Sequence, residues 1–69
     1  MSKKSMTLNL SSNEMDVLER LAEKRELSKT VLIRQALRLY QKVDERVEAG
    51  EKLVFEDERS DKKTEFVLV

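Results

Sequence analysis

Three short polar side chains, Ser5, Thr7 and Asn9, occupy every second position of a stretch whose alternate residues, Met6, Leu8 and Leu10, are apolar. This is the period of a β-strand, so the polar and apolar sets project to opposite faces. Asparagine carries a donor and an acceptor side by side and suits bidentate contact with adenine N6 and N7. Threonine and serine donate or accept, and the threonine methyl can meet a thymine methyl. A second cluster, Ser28-Lys29-Thr30, puts two hydroxyls and an ammonium at the expected start of a helix, whose free N–H groups and partial positive charge favour a phosphate. Lys3 and Lys4 add cations ahead of the strand. Contacts to phosphate fix register, whereas contacts to base edges select sequence. The plainer readings are that the strand residues face water and that Ser28 is an ordinary helix cap.

Other chemistries find little support. The chain has no histidine and no cysteine, which removes the commonest acid-base catalyst and metal ligand, and excludes disulfides and thiolate metal sites. Its acids fall at solvent-facing helical positions, with no nucleophile-base pair and no glycine-rich phosphate loop. Asp57, Arg59 and Asp61 mimic alternate ligands of a calcium loop, but the required glycine and the spacing to a terminal glutamate are wrong. No catalytic residue, metal or cofactor is expected.

The elements that must carry the two polar clusters follow from periodicity. Ser11-Ser12-Asn13-Glu14 is a cap-rich start, with Glu14 three residues after Ser11. Met15, Leu18, Leu21 and Ala22 then recur at helical spacing. A second helix begins at Ser28, and its apolar stripe runs through Leu32, Ile33, Ala36, Leu37, Leu39, Tyr40, Val43 and Val47 to Gly50, the one glycine, placed where a C-cap needs positive φ. A single coiled-coil helix from 12 to 49 is the alternative, but its seam would bury Arg25 and Lys29. Beyond Gly50, Leu53-Val54-Phe55 and Phe66-Val67-Leu68-Val69 flank the charged run Glu56 to Glu65. Either a hairpin or a tail that orders on meeting a partner fits that pattern.

At 69 residues, with 41% of them charged, the chain is one small domain without a staple. Chains of this size hide only about 60% of their unfolded surface, and an unstapled core supplies only a few kcal/mol, which leaves oligomerisation as the source of stability. The zero net charge conceals segments of alternating sign. Lys3 and Lys4 make residues 1–10 basic, and residues 28–50 hold five bases against three acids. Residues 11–27 hold five acids against three bases, and residues 51–69 six against four. No apolar run is long enough to span a bilayer and no signal core opens the chain, so a cytoplasmic protein is expected.

A lone strand has two unpaired edges and needs a partner. The equivalent strand of a second copy would make an antiparallel ribbon, and the C-terminal hairpin of the same chain is the other possibility. The alternating strand, Leu10-Ser11, the charged amphipathic helix, Leu27-Ser28-Lys29-Thr30 and the apolar second helix together resemble ribbon-helix-helix DNA-binding proteins of the CopG and Arc repressor kind. The resemblance covers residues 5 to about 48. It implies a mainly α fold with one short strand, built as an intertwined homodimer whose paired strands enter the major groove of double-stranded DNA. Ser5, Thr7 and Asn9 would then read bases, and Ser28, Lys29 and Thr30 would clamp a phosphate, with Lys3 and Lys4 as further phosphate contacts. Met6, Leu8, Leu10, Leu18, Leu21, Ile33, Ala36, Leu37 and Tyr40 would form a core shared by both copies.

Two departures stand out. Family members often have glycine in the interhelical turn, where this chain has Arg25-Glu26; many also carry a long basic side chain on the strand, absent here. Adjacent dimers would then help one another on the operator. The resemblance makes residues 1–50 a DNA-binding and dimerisation domain in a prokaryotic, nucleoid-associated regulator, most simply a repressor. Many family members are antitoxins, and residues 51–69 would then bind a toxin. A dimeric protein-binding scaffold without a DNA role, its N-terminal strand paired with its own hairpin, is the third reading.

Overall fold

The computed structural model describes residues 3–68 and contains two helices followed by two strands. Helix α1 spans Ser12–Arg25, α2 Lys29–Glu48, strand β1 Leu53–Asp57 and β2 Lys62–Phe66. The chain divides between Arg34 and Gln35 into two compact units, each described in turn.

In the first unit, α1 opens with the capping box expected from its sequence. The Glu14 N–H donates to Ser11 Oγ at 3.1 Å, and the Ser11 N–H donates to Glu14 Oε1 at 2.9 Å. Each bond satisfies an N–H at the helix entrance. The helix ends at Glu26, which takes the left-handed conformation (φ 55°, ψ 43°) normally left to glycine. Its N–H reaches the Glu23 carbonyl at 3.1 Å, and the Leu27 N–H reaches Ala22 at 2.9 Å. This is a Schellman closure, and it separates the helices where the coiled-coil alternative required continuity. Ser28 then caps α2, its Oγ accepting from the Val31 N–H at 3.1 Å.

The second unit repeats the closing device. At the end of α2, Gly50 has φ +96°, the Gly50 N–H donates to Val47 O at 3.0 Å, and the Glu51 N–H donates to Arg46 O at 3.1 Å. Arg46 also clasps the Glu51 carboxylate through Nε and through Nη2, the latter at 3.0 Å. The chain then forms the antiparallel hairpin β1-β2, so of the two readings of this segment the hairpin is the one adopted. Its register sets Glu56 opposite Lys63 and Asp57 opposite Lys62, opposite charges that favour this pairing. Asp57 Oδ1 accepts from the Arg59 N–H at 2.9 Å, and Asp61 sits at φ 56°, which closes the turn without glycine. Val69, the last residue of the expected apolar run, lies outside the described residues.

Two expectations need correction for the single chain. Residues 3–10 adopt neither helix nor strand, and the sheet consists of β1 and β2, so the N-terminal segment does not join the hairpin. A strand is defined by the ladder it shares, and one copy supplies no second edge for this one. The expected core is also open. Among the described residues Ala22 alone is buried; Leu10 and Leu18 are half-buried, whereas Met6, Leu37 and Tyr40 are 81%, 70% and 53% exposed. Leu8, Leu21, Ile33 and Ala36 are exposed as well. One helical pair and one hairpin cannot enclose so many apolar side chains, as follows if the core is shared between copies.

Candidate nucleic-acid interface

All the candidate contact residues belong to the first unit. Lys3, Lys4, Ser5, Thr7 and Asn9 are exposed, as are Met6 and Leu8 between them. The polar set is therefore accessible to a ligand, and the apolar set is equally open to a covering surface. Ser11 fixes where this segment stops, because its side chain and N–H are both committed to Glu14. Those bonds hold the Glu14 carboxyl below the usual carboxylate range, chiefly through the Ser11 N–H and secondarily through its hydroxyl.

At the second cluster, the first turn of α2 has four N–H groups without intrahelical partners of the ordinary kind. Ser28 takes two, its Oγ accepting from Val31 and its carbonyl from Leu32 at 2.9 Å. The Lys29 and Thr30 N–H groups remain at the helix mouth, and the Ser28 hydroxyl hydrogen is still free to donate. With the exposed Thr30 hydroxyl beside them, these groups can grip one anionic oxygen cluster. The first turn contains no acid to oppose an anion.

Lys29 is not idle in this arrangement. Its Nζ lies 3.2 Å from Glu19 Oε1 on α1, with both side chains about half exposed (52% and 53%). A lysine at a helix start and a glutamate ten residues earlier share no sequence period, so periodicity alone does not reveal the pair. An exposed pair of this kind is weak, about 0–1 kcal/mol, and a phosphate can displace it.

Among the described residues no group of three or more His, Cys, Asp or Glu side chains could hold a metal ion, and no helix is long and apolar enough to cross a membrane. No curated protein and no solved structure matches the chain. The family profile described as "Ribbon-helix-helix protein, copG family" does match, over residues 4–42, from the alternating N-terminal segment through α1, the left-handed turn and two thirds of α2. More than half of the chain is covered, and it belongs to the CopG family of ribbon-helix-helix proteins.

Proposed function

We propose that the protein is a dimeric, sequence-specific DNA-binding regulator, most simply a repressor. The family is typically one of DNA-binding transcriptional regulators that bind as dimers. In this reading the N-terminal segments of two copies pair as an antiparallel ribbon. Met6, Leu8 and Leu10 turn into the shared core, and Ser5, Thr7 and Asn9 of both copies enter the major groove. Ser28, Lys29 and Thr30 hold a flanking phosphate, and Lys3 and Lys4 extend the cationic reach.

The observation that carries the reading is the N-terminal segment itself, where an alternating apolar row stands uncovered (Met6 81% and Leu8 49% exposed) within the stretch matched to the family. Such a row needs a cover, and a second identical strand supplies both the cover and the missing hydrogen bonds. Selection of bound sequences from a random duplex pool tests this. A palindromic or directly repeated winner, lost on deleting residues 3–9, is expected; retention of the same sequence preference by the deletion would refute it.

An antitoxin role is the second reading, supported by the open aromatic face of the hairpin, with Phe55 61% and Phe66 52% exposed. Under it, a chain lacking residues 51–69 would still bind DNA but lose its protein partner.

A further inference from the structure

The hairpin presents a face that its own unit leaves bare. Leu53 lies opposite Phe66 and Phe55 opposite Thr64, so these four side chains share one side of the sheet. On it Phe55 and Phe66 meet edge to face with ring centroids 6.1 Å apart. Neither strand packs along α2. Helix and hairpin meet at the root, where Val43, Val47 and Leu53 help to line a groove of about 260 Å³. A two-stranded hairpin is marginal in water unless something covers its apolar face.

Helix α2 offers a matching surface in the same unit. Leu39 is 65% exposed and has Lys42 and Val43 as neighbours three and four residues on, with Arg46 a turn further. Leu37, at the other border of the apolar stripe, sits beside Gln41 and Asp44 instead. The Leu39 border is thus basic and the Leu37 border is not. Residues 51–69 hold six acids against four bases, and residues 28–50 five bases against three acids. The acidic hairpin therefore complements the Leu39 border. The family match stops at residue 42, but the apolar row continues through Val43 and Val47 to Leu53, in line with the stripe assigned to the dimer core.

We propose that the hairpin is a second dimer contact. The Leu53-Phe55-Phe66 face of one copy closes on the Leu39 border of α2 in a second copy, and the reciprocal contact follows by two-fold symmetry. The proposal rests on the pairing of copies and not on DNA recognition, so its tests need no DNA.

The chain has no tryptophan and no cysteine, so either can be introduced as a unique reporter. In the full-length Phe55→Trp chain, indole emission is expected to be blue-shifted in the dimer and to move red on dilution, in step with the loss of dimer mass. Thr64→Cys leaves both phenylalanines in place; mixed with Leu39→Cys chains under oxidising conditions, it should yield a disulfide joining the two different copies. Replacing Phe55 and Phe66 together by Ser should raise the dimer dissociation constant about tenfold or more. A water-exposed indole in the intact dimer, or a mixture that forms no mixed disulfide, overturns the proposal. A blue shift that appears only when a different protein is added assigns the face to that partner and overturns it equally.

Discussion

Single residues divide here into readers and holders, and the two classes fail differently. Asn9 carries the only side-chain amide on the proposed reading face, so Asn9→Ala should cost roughly 1–3 kcal/mol of discrimination at one base pair per half-site. Competition binding against single-base operator variants measures it, and an unchanged preference removes Asn9 from the readers. Lys29 should behave differently, because it contacts phosphate. Lys29→Ala is expected to weaken binding to all duplexes alike and to flatten the dependence on log salt by about one unit per site. The Glu19 pair adds a second expectation: Glu19→Gln frees the Lys29 ammonium, so DNA binding should tighten by up to about fivefold at low salt, within the 0–1 kcal/mol such exposed pairs are worth. Titration of labelled operator at two salt concentrations distinguishes the pair from a bystander contact.

At the scale of the elements, two left-handed caps make opposite predictions. Glu26 has a Cβ at φ 55°, which costs on the order of 1 kcal/mol, whereas Gly50 is free of that strain at φ +96°. Glu26→Gly should therefore stabilise the fold by up to about 1 kcal/mol, and Gly50→Ala should destabilise it by about 1–2 kcal/mol. A Cβ at Gly50 meets nothing within 4 Å, so the loss is conformational and not steric. Urea unfolding at fixed protein concentration reads both. The same two caps show what the sequence made legible. Ser11 with Glu14, Ser28 and Gly50 announced three helix ends because each has a side chain, or the lack of one, suited to the end it makes. Glu26 gave no such signal, and only the break in the apolar seam marked the turn. The hairpin was legible from its two apolar runs, but its turn was not, since Asp57 and Asp61 close it in place of a glycine dipeptide. The Lys29–Glu19 pair was hidden because long side chains reach across elements without a sequence period. The partner for residues 3–10 is absent from one copy, so that strand could be inferred only from alternation.

For the whole molecule, the balance between a nearly coreless chain and a stable dimer should appear in how stability responds to concentration and to acid. With Ala22 alone buried among the described residues, folding and association are expected to be one event, so the thermal midpoint should rise with protein concentration. Acid should oppose it through two carboxylates. Glu14 is held below its ordinary value by Ser11, and Glu51 by the hydrogen bond and charge of Arg46. A carboxyl depressed in the folded state stabilises fully above its unfolded value, here about 4.5, and that contribution disappears as pH falls through the lower folded value. Between neutrality and about pH 5 these two groups should therefore contribute no slope, and below about pH 4.5 the thermal midpoint should fall. Because glutamine can occupy the third helical position of a capping box, Glu14→Gln should keep the α1 cap while removing its share of the acid dependence. Glu51→Gln should reduce the remaining slope by loosening the hairpin root at all pH values. Thermal scans from pH 3 to 7 at a single protein concentration separate the two. An acid slope unchanged in the double variant would place the titrating groups elsewhere, on surfaces that only the assembled dimer creates.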